Sequence, residues 1–173
     1  SAGARRMPYF TDLMNGMPFI RPESTVEGDP YAQQHWSSAA IELYGSKETY
    51  EGYFCRYNLY TNTLEVMMEK GVVGLDGDKI KLHIITDSLT RVKHVYMNAK
   101  EFLVDGTPLN GIVEVLADGA ATLLKRQTLL VAPPNYNIAL NSGSRNTRIT
   151  KKDELYYAFG SSAYKIKGKK KLL

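Results

Sequence analysis

Cysteine is almost missing from this sequence: Cys55 is the only one among 173 residues. A single cysteine excludes an intramolecular disulfide, so the hydrophobic core must hold the fold together. Long apolar runs are also missing, and none approaches the roughly 18 residues that a membrane-spanning helix needs. The first residues, Ser-Ala-Gly-Ala-Arg-Arg, lack the apolar stretch of a signal peptide. A cytoplasmic protein, and an exported protein whose signal peptide has been removed, would both look like this.

Local motifs for metals, nucleotides and nucleophiles are missing as well. The three histidines, His35, His83 and His94, have no second ligand at a metal-binding spacing. No glycine-rich phosphate loop opens a helix, and no Gly-x-Ser-x-Gly occurs. Cys55 falls on the apolar face of a predicted strand, which favours an inert, buried thiol. The sequence therefore predicts no cofactor, no metal and no catalytic residue that local motifs could reveal.

The sequence is rich in tyrosine and, near its end, in lysine. Twelve Tyr stand against five Phe and one Trp, and Tyr favours half-buried, pleated surfaces. The formal net charge is +4, and a lysine run alone exceeds it: Lys165, Lys167, Lys169, Lys170 and Lys171. This run predicts either a charge-protected edge strand or a basic contact for lipid headgroups, surface polysaccharide or nucleic acid. The rest of the chain is near neutral, which speaks against nucleic acid as the partner.

Apolar and polar residues alternate over most of the chain, which predicts β-strands. Turn residues separate these runs, including three Asp-Gly pairs at 76–77, 105–106 and 118–119 that favour tight hairpins. The predicted strands begin near residue 36 and continue with 49–60, 63–69, 72–75, 79–86, 91–98, 101–104, 111–117, 121–131, 154–159 and 163–166. We therefore predict an all-β fold, an antiparallel meander forming a barrel-like or two-sheet sandwich domain.

The chain divides into an arm and a domain. Residues 1–35 contain four prolines and little periodicity, which predicts an irregular, Pro-rich N-terminal arm. Residues 36–173 form the β domain, and a faint internal similarity leaves open two related units, about 36–98 and 99–173. Pro133 and Pro134 end a strand, and residues 135–150 predict one long exposed loop.

Tyr50, Phe54 and Arg56 are the best candidate ligand-binding residues. Simple alternation along the second strand places them together on its less apolar face. Two aromatic rings beside a guanidinium could stack sugar rings or single-stranded bases. The same cluster could instead cover a second sheet or the arm.

Three groups of segments resemble a known family. The first is Tyr50-Glu51-Gly52-Tyr53 with Arg56-Tyr57-Asn58-Leu59-Tyr60, the second is Gly111-Ile112-Val113-Glu114-Val115-Leu116-Ala117-Asp118-Gly119 with Leu123-Leu124-Lys125, and the third is Glu154-Leu155-Tyr156-Tyr157. Together they resemble a family of uncharacterised exported proteins common in Bacteroidota, over roughly residues 36–171. The resemblance implies a periplasmic or cell-envelope protein made with a signal peptide. It supplies no activity, substrate or functional residue.

These observations leave three functional hypotheses. The leading one is a non-catalytic, exported binding or scaffolding protein of the cell envelope, whose partner would be an envelope protein or a surface glycan. The second is a nucleic-acid-binding module, based on charge and Tyr content. The third is a glycan-active hydrolase whose site forms only in the fold, because paired carboxylates meet only in space. Candidate carboxylates on predicted strands are Glu51, Glu65 and Glu114.

Overall fold

A computed structural model describes residues 26–168, and its regular secondary structure is almost all β-strand, which confirms the predicted all-β fold. Residues 1–25 of the predicted arm, which covers residues 1–35, lie outside the described residues. So do three lysines of the predicted basic contact, Lys169, Lys170 and Lys171. The strands are β1 (Val26–Glu27), β2 (Ser37–Leu43), β3 (Thr49–Asn58), β4 (Thr63–Met68), β5 (Gly71–Asp76), β6 (Ile80–Thr86), β7 (Lys93–Asn98), β8 (Leu103–Val104), β9 (Thr107–Pro108), β10 (Ile112–Ala117), β11 (Thr122–Ala132), β12 (Thr147–Phe159) and β13 (Ser162–Lys165).

The strands pair edge to edge in one sheet. Its order is β5-β4-β3-β2-β6-β7-β10-β11-β12-β13-β8-β9, and β1 pairs with β12 off this path. Strands β2 to β5 form an antiparallel meander, and β6 then returns to the other edge of β2. Two pairings are parallel, β1 with β12 and β13 with β8; each joins very short stretches of strand. In the described part of the chain no helix is long and apolar enough to cross a membrane.

The sheet buries opposite faces at its two ends. Tyr96 on β7 and Ile112 on β10 belong to a first core, formed mainly by β2 to β6. The next residues along the same two strands, Met97 and Val113, pack into a second core with β11, β12 and β13. Because successive side chains of a strand point to opposite faces, the two cores lie on opposite sides of the sheet. Strands β7 and β10 are therefore common to both.

The first core contains a histidine among its apolar residues. His83 is completely buried and stacks between Tyr57 and Tyr96, with ring centroids 5.5 and 5.0 Å away. Neither ring nitrogen has a hydrogen-bond partner among residues 26–168. Burial lowers the pKa of His83 to about 3, so the imidazole is neutral at physiological pH. The predicted burial of Cys55 is confirmed in the same core, and burial raises the pKa of its thiol to about 12.

The three Asp-Gly pairs form three different connections. Asp105 and Gly106 both have positive φ, at 50° and 79°, and join β8 to β9 as the tight hairpin that the dipeptide predicts. Gly77 instead opens a short 3-10 turn, Gly77–Lys79, with ordinary φ. A Cβ on Gly77 would lie 2.2 Å from the Tyr57 hydroxyl, so close packing requires this glycine. Gly119 also lacks positive φ.

Strands β11 and β12 form a hairpin that is longer than the sequence predicts. Their pairing runs from Thr122 with Ala158 to Ala132 with Arg148. Strand β12 begins at Thr147 and not at residue 154, because its first half is polar on an exposed face and shows no apolar alternation. The connecting segment is therefore residues 133–146. It carries exposed Ile138 and Leu140, and its hydrogen bonds are mostly internal.

Candidate functional site

Tyr50, Phe54 and Arg56 do not form the single cluster that alternation predicts. Gly52, with φ of 84°, lies at a bulge where the pairing of β3 with β2 shifts between Tyr53 and Glu51. The shift turns Tyr50 into the first core, where it is 5% exposed, while Phe54 is 51% exposed on the other face. The sequence interpretation of one platform is therefore wrong for these three residues, and its physical reason is the extra residue in the bulge.

Arg56 takes part in a half-buried cluster with Glu65. Its Nε donates to Glu65 Oε2 over 2.9 Å, and one terminal nitrogen donates to the Tyr31 hydroxyl, also over 2.9 Å. That hydroxyl in turn donates to Glu65 Oε1. The guanidinium lies 3.7 Å from the centroid of the Tyr31 ring and 4.5 Å from that of Trp36. Through Tyr31, this cluster connects the segment before β2 to β3 and β4, so its role is structural.

The basic run is only partly placed by the structure. Lys165 on β13 donates to Glu154 over 2.5 Å, and this hydrogen bond lowers the pKa of Glu154 and raises that of Lys165. Its charge is thus matched within the chain. Lys167 is exposed, just beyond β13. Of the predicted basic contact, one lysine is therefore engaged and one is accessible within residues 26–168.

A cleft of about 380 Å³ opens on the face of the sheet that carries the first core. Its floor is made by β6, β7, β10 and β11, and the segment that leads into β2 forms one wall. A loop between β6 and β7 forms part of the rim. The lining residues are Ala32, Gln33, Gln34, His35, Ser37, Ile85, Asp87, Leu89, His94, Tyr96, Glu114 and Lys125.

Register explains why polar groups meet in this cleft. His83, Tyr96, Glu114 and Lys125 are directly opposite one another on four neighbouring strands. Along this row the side chains change from completely buried to charged and partly exposed. His94 joins the row because it precedes Tyr96 by two residues and so points to the same face. The fold thus brings His94, Glu114 and Lys125 together from three strands, although they are far apart in sequence.

Glu114 is the centre of the site. Its side chain is only 8% exposed, and Oε1 lies 2.7 Å from His94 Nδ1 while Oε2 lies 2.5 Å from the Lys125 ammonium. A carboxylate only accepts, so Nδ1 of His94 carries the proton. Nε2, on the far side of the ring, is left to accept from a ligand hydroxyl when the imidazole is neutral. The His94 side chain is 36% exposed, so a ligand can reach it.

Asp87 and Gln33 add polar groups to the cleft. Backbone N–H groups of Thr90 and Leu89 both donate to Asp87 Oδ1, over 2.6 and 2.8 Å, and lower the pKa of the carboxyl. The side-chain carbonyl of Gln33 accepts a hydrogen bond from the backbone N–H of Tyr57 over 2.9 Å. Its side-chain amide nitrogen is buried and makes no well-formed hydrogen bond within the described residues. The same amide lies near the Tyr96 hydroxyl and acts to lower the pKa of that group. Burial outweighs that contact and raises the pKa of Tyr96 to about 12.

The arrangement favours binding over acid–base chemistry. A glycosidase needs one carboxyl whose pKa is raised so that it stays protonated. Asp87 has the opposite shift, and both oxygens of Glu114 are engaged by cations or hydrogen-bond donors. Glu65, another candidate carboxylate, is completely buried against Arg56. In the described part of the chain no three His, Cys, Asp or Glu residues are grouped so as to hold a metal ion.

Sequence reasoning named His94 and Glu114 separately but did not bring them together. The signal was the register of β7, β10 and β11, which no local pattern reveals. The cleft also uses Gln33, which belongs to the segment interpreted as an arm. Comparison of the chain with protein-family models, with curated proteins and with solved structures finds no match.

Proposed function

We propose that this protein is a non-catalytic binding protein and that the cleft around Glu114 holds a small, uncharged, hydroxyl-rich ligand, such as one or two sugar rings. The observation that carries the proposal is the His94–Glu114–Lys125 network, assembled from three strands at the bottom of an accessible cleft. The cleft volume falls within the range of small-molecule sites, roughly 300–1,000 Å³.

The charges in the cleft argue for an uncharged ligand. Glu114 is already matched by Lys125, so an anion or a cation would have to compete with an existing ion pair. The polar groups that remain are the His94 imidazole, amide groups and the carboxylate of Asp87. Hydroxyl groups both donate and accept, and therefore suit such a mixed set. Exposed Leu89 and the small accessible part of Tyr96 provide apolar surface for the carbon skeleton.

We place this binding protein in the periplasm or cell envelope on the basis of the family resemblance. A surface glycan is the partner that fits both that compartment and the chemistry of the cleft. Expression of the full-length gene with a C-terminal tag, followed by fractionation, tests the compartment. A protein retained in the cytosol would contradict this part of the proposal.

Calorimetric titration with maltose, cellobiose and lactose tests binding directly. We expect at least one of these neutral disaccharides to bind, and His94→Asn and Lys125→Met each to weaken binding about tenfold. The first removes a polar contact of roughly 1 kcal/mol or more, and the second leaves Glu114 without its cation and disturbs the network that positions His94. Lys152→Met is the matched control, because Lys152 is an exposed strand lysine outside the cleft. Binding of acetate or phosphate in place of sugars would overturn the assignment of an uncharged ligand.

A further inference from the structure

An exposed aromatic patch lies on the same side of the sheet as the cleft. Tyr157 and Phe159 on β12 and Tyr164 on β13 are 40%, 56% and 48% exposed. The rings of Tyr157 and Tyr164 stack with centroids 5.2 Å apart, and Phe159 meets Tyr157 edge to face at 6.0 Å. Leu155 and Ile166, also exposed, border the three rings. We call these five residues the aromatic patch.

Register connects the patch to the cleft. Lys125, on the cleft floor, pairs with Leu155, and Leu123, two residues before Lys125, pairs with Tyr157. Tyr157 in turn pairs with Tyr164. All these side chains alternate to one face, so a continuous surface runs from Lys125 across β12 to β13. With strands about 4.8 Å apart, Tyr157 lies on the order of 10 Å from the Lys125 position along this surface.

Lys125 and Lys151, two cations beside this path, are matched within the chain. Lys125 pairs with Glu114, Asp153 accepts from the Gln127 amide over 2.9 Å, and Lys151 pairs with Asp29. Nucleic acid needs cations that are free to meet its phosphates. A neutral polymer of ring-shaped units needs instead flat apolar surfaces with hydroxyl-binding groups between them.

From this juxtaposition we propose that the cleft and the aromatic patch form one extended site for a linear, uncharged glycan. One end of the chain enters the cleft at His94 and Glu114, and the following sugar rings stack on Tyr157, Tyr164 and Phe159. This inference rests on the proposed function and deepens it: the ligand is a chain and not a free mono- or disaccharide.

Titration with matched short and long sugars tests the extended site. Maltose and maltohexaose form one pair, and cellobiose and cellohexaose form another. We expect the wild-type chain to bind the hexasaccharide of one pair at least tenfold more tightly than its disaccharide. Tyr157→Thr, Phe159→Thr and Tyr164→Thr should each weaken hexasaccharide binding about three- to tenfold, the range for one aromatic contact, and leave disaccharide binding unchanged. Threonine keeps the strand propensity of these positions.

Phe54→Thr is the control, because Phe54 is equally exposed on a strand outside the path. If the disaccharide binds and neither chain length nor the patch variants matter, the extended site is overturned and the cleft proposal survives. If no sugar of either length binds, both fail. Binding of a single-stranded oligonucleotide at the patch, or a dimer that dissociates in Tyr164→Thr, would also overturn the glycan assignment.

Discussion

The two ends of the sheet bury different kinds of residue. The first core encloses polar groups that include His83 and Asn98, while the second is built from small and apolar residues such as Ala99, Ala158, Ala163 and Leu124. The second end also leaves large apolar side chains in solvent, among them Phe159 at 56% exposure. The first end thus combines apolar packing with buried polar groups, whereas the exposed apolar residues of the second end include the stacked rings of Tyr157 and Tyr164.

Breaking the Arg56–Glu65 pair should give the largest loss of stability. Arg56→Met leaves the completely buried Glu65 carboxylate without its cation, and removal of one partner of a buried pair costs about 3–5 kcal/mol. We expect the urea midpoint to fall accordingly. The double variant Arg56→Met, Glu65→Leu should recover much of the loss. A single variant as stable as the wild-type chain would show that the cluster does not hold the first end together.

Truncations in the two cores compare the ends directly. Leu64 and Leu124 are both completely buried, one in each core. Leu64→Ala and Leu124→Ala should each cost about 2–5 kcal/mol. Because β7 and β10 belong to both cores, we expect one cooperative urea transition in each variant, followed by both tyrosine fluorescence and circular dichroism. Two separate transitions would mean that the ends unfold independently.

The buried histidine makes the first end sensitive to acid. The pKa of His83 is about 3 in the fold and near 6.5 in the unfolded chain, so the unfolded state binds the proton more readily below pH 6.5. Its contribution to stability is complete above pH 6.5 and is lost as the pH falls towards 3, by about 3 kcal/mol at pH 4.

The contribution of His83 is measured by comparing the unfolding free energies of the wild-type chain and His83→Phe at pH 7 and at pH 4. The phenylalanine variant keeps a ring between the two tyrosines and does not titrate. Between pH 7 and pH 4 it should therefore lose about 3 kcal/mol less stability than the wild-type chain. His35→Phe, at an exposed position, controls for the loss of a histidine. An equal loss of stability in wild type and His83→Phe would contradict the assignment.

Substitutions in the exposed apolar surface of the second end should have the smallest effect on stability. Phe159→Thr and Leu130→Thr remove side chains that are each 56% exposed. Surface changes of this kind stay within about 0.5 kcal/mol. Thermal melts of both variants check this. A loss of several kcal/mol would show that these side chains hold the hairpin in place and are not available for a ligand.

The sequence predicts the strands well because alternation and turn residues are local signals. Most strand ends lie within two residues of their predicted positions, and Pro133 ends β11 as expected. The bulge at Gly52 is not visible in the pattern, since one extra residue only exchanges the two faces of β3. For the same reason the platform of Tyr50, Phe54 and Arg56 was predicted incorrectly.

The cleft could not be predicted, because it depends on which strands are neighbours. Strand β10 follows β7 in the sheet although β8 and β9 lie between them in the chain. This places Glu114 opposite Tyr96 and close to His94. No spacing in the sequence indicates that β10 pairs with β7. The aromatic patch was hidden in the same way, because Tyr157 and Tyr164 come together only through the pairing of β12 with β13.

The use of β7 and β10 by both cores bears on how the chain could be divided. A cut near residues 98–99 would leave Tyr96 on one fragment and Ile112, from the same core, on the other. Each fragment would then expose an apolar strand face and an unpaired edge, which invites aggregation. We therefore expect neither half to be inherited, exchanged between proteins or produced as a module of its own, although residues 26–168 form two cores.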